Sequence, residues 1–167
     1  MINYSTPSTA ITFDISSLAA STSFLAGRES NEQTNATTRY DDVELYIKGI
    51  TGHATTAPVV GQMIQIYAWG SEVSLATTPI DVLDGVDSVE TLSHDAVRQS
   101  LALIASPTVT VATAALVYPT RPITLAQFFG GSMPLFWGLF ATHNHAGALA
   151  AAQSALFSFR GVNYTAT

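Results

Sequence analysis

Hydrophobic and polar positions alternate with a period of two over much of the chain, which is the signature of strands with one buried face. From Asp41 the alternation is clear: Val43, Leu45 and Ile47 point one way, and Asp42, Glu44, Tyr46 and Lys48 the other. A long Gly/Thr/Pro connection follows from Gly49 to Gly61. Ile64, Ile66 and Ala68 then alternate with Met63, Gln65, Tyr67 and Trp69 before a Gly70-Ser71 turn, predicting a hairpin pair with the preceding strand. Residues 135–141 form one apolar, aromatic-rich run of strand length bounded by turn residues. It reads as a buried strand in the middle of the core. Burying each such Leu or aromatic side chain stabilises by roughly 1.5–3 kcal/mol.

Weaker patterns fill the rest. Ile11, Phe13 and Ile15 share one face of a short strand over 10–15, and Ser16 to Leu25 is open between loop and strand. Asp84-Gly85 marks a turn within PIDVLDGVDS. Leu101–Ile104 and Thr108–Val111 are short strands divided by Pro107, while Pro119 and Pro122 exclude a central strand between them. Ile123 to Phe129 suits one helical turn, capped by Thr124 or a neighbour. Ala146 to Ala155 has the composition of a short helix or an ordered loop. Leu156 to Tyr164 closes the chain as a strand. Residues 1–9, polar and containing Pro7, read as a flexible or draped N-terminal arm ahead of a single domain over 10–167. Short strands separated by Gly, Pro and Asp turns predict an all-β fold, a jelly-roll-like β-sandwich with at most one or two short helices.

Composition sharpens this picture. Of 167 residues, 47% are hydrophobic and only 11% charged, against about 25% charged in ordinary domains. The surface is therefore unusually neutral and suited to being covered by a partner. Six scattered basic residues and a net charge of −6 argue against a nucleic-acid partner. The absence of cysteine excludes disulfides and Cys-type zinc sites. No secretion signal is apparent at the start of the sequence, and no apolar stretch approaches the ~18 residues of a membrane span. The expectation is a soluble protein with no membrane partner.

Few clusters suggest chemistry. His143 and His145 lie at i and i+2 on a strand, so both imidazoles share a face. Without a third ligand, a polar strand end is the better reading than zinc, and no metal or cofactor is expected. Asp81, Asp84 and Asp87 lack calcium-loop spacing and read as turn residues. Gly130-Gly131-Ser132 matches neither a phosphate loop nor a nucleophile elbow, and permits a sharp bend beside the aromatics. The 12 acidic, 6 basic and 4 His residues show no catalytic spacing, so no enzyme is expected. Tyr67 and Trp69, opposite Ile64 and Ile66, could stack on a sugar or anchor a protein contact; if the sheet is covered on both faces they are core.

The order of short motifs carries a resemblance. It runs Ala26-Gly27-Arg28-Glu29-Ser30, Tyr40-Asp41, then Gly61-Gln62-Met63-Ile64-Gln65-Ile66-Tyr67-Ala68-Trp69-Gly70-Ser71. Asp81-Val82-Leu83-Asp84-Gly85-Val86-Asp87-Ser88 follows, then Phe128-Phe129-Gly130-Gly131-Ser132-Met133-Pro134 with Trp137, and finally His143-Asn144 through Gly161-Val162-Asn163-Tyr164. From about residue 24 to the end, this series resembles small virion structural proteins of tailed bacteriophages, in particular capsid decoration or cement proteins. The resemblance implies a β-sandwich without catalytic residues. It implies a place on the outer capsid surface, bridging subunits of the major capsid protein, and a dimer or trimer. Arg28, Trp69 and the N-terminal arm are contact candidates on expected exposure alone. A tail or connector component, or a jelly-roll carbohydrate-binding module using Tyr67 and Trp69, are the alternatives.

Overall fold

Two antiparallel sheets, with alternating residues of each turned inward, enclose the main core in a computed structural model that describes residues 1–5 and 8–165. The strands are β1 (Ile2–Tyr4), β2 (Thr9–Ala10), β3 (Ala26–Glu29), β4 (Gln33–Thr34), β5 (Asp42–Ile47), β6 (Ile50–Thr51) and β7 (Ile64–Ser71). They continue as β8 (Val89–Thr91), β9 (Ala102–Ala105), β10 (Val117–Tyr118), β11 (Ile123–Thr124), β12 (Phe136–His143) and β13 (Phe157–Tyr164). One sheet has the order β1-β13-β5-β11, with β2 also on β13. The other has the order β8-β3-β12-β7-β9, with β4 also on β12; β10 and β6 form a separate ribbon. The chain passes repeatedly from sheet to sheet, and the result is the expected all-β sandwich. A single α-helix, α1 (Asp95–Ser100), and a 3-10 turn at Ala126–Phe129 are the helical elements among the described residues.

The core between the sheets is built from the predicted faces. Val43, Leu45 and Ile47 of β5 meet Ile64, Ile66 and Ala68 of β7 and Trp137, Leu139 and Ala141 of β12. The edge of Trp137 packs on Phe159, with ring centroids 5.1 Å apart. Ile11, Phe13 and Ile15 are buried as expected, yet only Thr9–Ala10 is strand, because the chain then leaves β13 and plugs the core as an irregular segment.

A second core lies on the opposite face of the β12 sheet. Segment 72–101 folds back over it and packs Leu75, Leu83, Leu92 and Leu101 on Tyr67, Trp69 and Phe140. That sheet is thus covered on both sides, which is why β12 is buried almost end to end.

Several expectations are corrected. β5 and β7 are not a hairpin: β5 pairs with β13 and β11, and β7 with β12 and β9, so they face each other across the core. Of 108–111, Thr108 forms one isolated bridge, to Met63. The 3-10 turn is not capped by Thr124; the buried Asp42 carboxylate accepts from the Ala126 and Val43 N–H groups at 2.8 and 2.7 Å. For residues 146–155 the second of the two expected forms holds: they are an ordered loop, pinned where Gln153 accepts from the Thr51 N–H and donates to the Ala150 carbonyl. Of the two forms expected for the arm, flexible or draped, residues 2–4 take the second and pair with β13; Thr6 and Pro7 lie outside the described residues.

Candidate interaction face

Pairing register assigns the outward face of the β13 sheet. Ile2 sits beside Tyr164, Tyr4 beside Val162 and Asp42, Arg160 beside Glu44, and Ser158 beside Tyr46. Partners across a ladder share a face, so three tyrosines, Ile2 and Arg160 stand together on the side away from the core. The Arg160 guanidinium lies over the Tyr4 ring, 3.9 Å from its centre, and 5.4 Å from the centre of the Tyr46 ring. Glu44 fixes the group, accepting from Arg160 Nε and from the Tyr46 hydroxyl, both at 2.7 Å. Tyr164 is 55% and Tyr4 46% exposed. Among the described residues no segment closes over these side chains, whereas segment 72–101 covers the outward side of the other sheet. Tyrosine and arginine held rigid in this way are the side chains that anchor protein interfaces at low entropic cost.

The two contact candidates lie elsewhere. Trp69 is 2% exposed and belongs to the second core, so its predicted exposure is wrong. Alternation placed it opposite Ile64 and Ile66 correctly, but the 72–101 segment closes over that side. Tyr67, 4% exposed, is buried with it, and no sugar platform exists there. Arg28 is half-buried and committed internally, donating from Nε to Asp87 Oδ1 at 2.6 Å and from Nη2 to the Asp87 carbonyl at 3.2 Å.

His143 and His145 are both buried, their rings 5.2 Å apart. His143 uses both nitrogens within the fold: Nδ1 accepts from the His145 N–H at 3.2 Å, which leaves Nε2 to donate to the Leu18 carbonyl at 2.8 Å. His145 has no hydrogen-bond partner on either nitrogen and packs against Tyr118, whose hydroxyl is also unpartnered. Burial depresses His143, and burial plus its neighbour lowers His145 to about 4, so both rings are neutral near pH 7. Among the described residues no group of three His, Asp or Glu is placed to hold a metal. No protein-family model, no curated protein and no solved structure matches the chain.

The aspartates tie down the turn in which they stand. Asp84 Oδ1 accepts from the Val86 N–H two residues on, at 3.0 Å, and Asp81 Oδ2 from the Ser93 N–H at 2.7 Å. Asp87 instead joins Arg28 to the Asp14 N–H. The residues missed by sequence reasoning are Glu29 and Glu32. Glu29, fully buried, accepts from the Asp84 and Gly85 N–H groups at 3.0 and 2.9 Å. Glu32 accepts from the Leu75 N–H and the Ser74 hydroxyl. Together they clasp segment 72–88 onto the sheet. Glu29 facing a core in the middle of Gly27-Arg28-Glu29-Ser30 was the available signal, since a buried carboxylate requires donors.

Gly130 and Gly131, at φ 78° and 101°, supply the sharp bend ahead of β12. A shallow cleft of about 610 Å³ runs between edge strands β9 and β11, walled by Pro107, Pro119, Pro122, Ile104 and Phe128. Arg121 is the one charged side chain lining it. That lining offers no acid–base pair. No helix among the described residues is long and apolar enough to cross a membrane.

Proposed function

We propose that the protein is a non-enzymatic structural component of a phage virion, bound to the outer capsid surface and stabilising contacts between major capsid protein subunits. The observation that carries this reading is the uncovered face bearing Tyr4, Tyr46, Tyr164 and Arg160, rigid and nearly neutral, on a molecule whose other sheet is covered on both sides. The motif order from about residue 24 onward supports the same assignment. A protein that binds only the assembled shell stabilises it by mass action, so many shallow contacts suffice and no deep pocket is required. Arg28 and Trp69 play structural parts in this reading, and the contact surface moves to the tyrosine face.

Copy number tests it. In purified virions the protein should stand near a fixed simple ratio to the major capsid protein by quantitative mass spectrometry. Tyr4→Ala with Tyr164→Ala should release it from the shell while leaving its unfolding transition in place. A content of a few copies per particle would move it to the tail or connector, and absence from the particle would remove the virion reading altogether.

A further inference from the structure

The edge strand of the β13 sheet has a hydrogen-bonding pattern that is complementary to itself. β1 pairs with β13 on one side, and no described strand pairs with its other side. Ser5 donates its N–H to the Gly161 carbonyl, and Thr165 donates to the Met1 carbonyl. In an antiparallel ladder, bonded residues alternate, so residues 1, 3 and 5 turn their main-chain groups toward β13. Ile2 and Tyr4 therefore turn both N–H and C=O outward, to the open edge.

We propose that this edge is the interface between two copies of the chain, with β1 of each pairing antiparallel about a twofold axis through Asn3. In that arrangement Ile2 of one copy exchanges two hydrogen bonds with Tyr4 of the other, and Tyr4 with Ile2, making four main-chain bonds that a single copy leaves to water. Asn3 faces its own counterpart at the close, non-bonded position. The two β13 sheets become one continuous sheet, and the tyrosine faces merge into a single surface twice the width.

Side chains agree with this register. Residues directly opposite share a face, so Ile2 meets Tyr4 of the other copy, flanked by Tyr164. These three are 53%, 46% and 55% exposed, an apolar margin along an unprotected edge. Edge strands are blunted by shortness or by a Lys, a Pro or a bulge; β1 is short, at three residues, but Ile2, Asn3 and Tyr4 carry no Lys, Pro or bulge, and their register with β13 is unbroken. The nearest side-chain cation, Arg160, is already neutralised by Glu44 of its own chain, and the Met1 ammonium, which donates to the Thr165 carbonyl of its own chain, lies at the strand end away from the twofold, opposite Ser5 of the other copy, so two copies meet without like-charge conflict. Self-pairing about a twofold is also the commonest closed symmetry. The inference rests on the strand edge alone and stands apart from the virion reading.

The chain has no cysteine, so one introduced thiol reports unambiguously. At a non-bonded antiparallel pair the Cα atoms stand about 4.5 Å apart, within disulfide reach. Asn3→Cys should oxidise to a covalent dimer about tenfold or more faster than Val111→Cys, an exposed control, because pairing raises the thiols' effective concentration to the millimolar range. Sedimentation velocity of the unmodified protein should give a dimer. Ile2→Lys with Tyr4→Lys should give a monomer that still unfolds in one cooperative transition, at a lower midpoint because the stabilisation by dimer formation is lost. Tyr4→Pro, which takes an outward N–H from the ladder together with the ring, should also give a monomer, whereas Tyr4→Phe keeps both and keeps the dimer. A monomeric unmodified protein, or equal oxidation of the two cysteine variants, overturns the proposal.

Discussion

Glu29 is the residue whose environment departs furthest from what its chemistry prefers. Burial raises its carboxyl from 4.5 to about 8, against the opposing pull of the Gly85 and Asp84 N–H groups. A raised carboxyl holds its proton more tightly folded than unfolded, so this residue's contribution is fully present below about pH 4.5 and is lost as pH rises to about 8. His145 runs the other way. Its folded value of about 4 lies below its ordinary 6.5, so its contribution is present above pH 6.5 and is lost as pH falls to about 4. Urea midpoints measured across pH should show each limb. Glu29→Gln is expected to flatten the decline between pH 6.5 and 8, and His145→Phe the loss on the acid side. An unchanged alkaline limb in Glu29→Gln would mean that the carboxyl is not the group responsible.

At the scale of the element, β12 depends on close approach between aromatic and glycine. A Cβ on Gly138 would run into the Trp69 indole, which is itself walled in by the second core. Gly138→Ala should therefore destabilise by about 1–3 kcal/mol, the ordinary cost of overpacking a filled site, as read from denaturant unfolding. What was readable beforehand follows the same physics. β5 was visible because one of its faces is polar, so its period of two survives in the residue order. β12 was visible as an apolar run because both its faces are buried. The partnership of β5 and β7 was not visible, since alternation says which way a side chain points and nothing about which strand lies beside it. α1 escaped notice because none of its six residues is fully buried; Val97 packs only partly on the second core, and Arg98 donates to the Tyr67 hydroxyl at 2.7 Å. The loop at 146–155 had helical composition, but its main chain bonds to other segments instead of to itself: the Leu149 N–H donates to the Leu18 carbonyl, the Ala150 N–H to the Thr51 carbonyl, and the Ala150 carbonyl accepts from the Ser17 N–H.

For the molecule as a whole, the candidate face was half legible. Tyr46, Glu44 and Lys48 stood on the polar side of a predicted strand, while Tyr4 and Tyr164 join them only because the two ends of the described chain are neighbours in one sheet. Trp69 looked equally available and is not, because the covering segment is contributed by residues whose pattern shows only turns. The pH response also belongs to this scale. Between about pH 4.5 and 6.5 the Glu29 contribution falls with rising pH while those of His145 and the likewise depressed His143 rise, so the two kinds of group oppose each other there. The intact protein should weaken above that range through Glu29.

β13 has one more implication, for the order of events during synthesis. It follows in sequence every strand with which it pairs, yet it occupies an interior place in its sheet, joined to β5 on one side and to β1 and β2 on the other. While a ribosome is still short of Phe157, β1 and β2 have no ladder to enter and the inward faces of β5 and β7 have only part of their cover. The sandwich must therefore close late and largely in one step, and the nascent chain has to be kept from aggregating until β13 emerges.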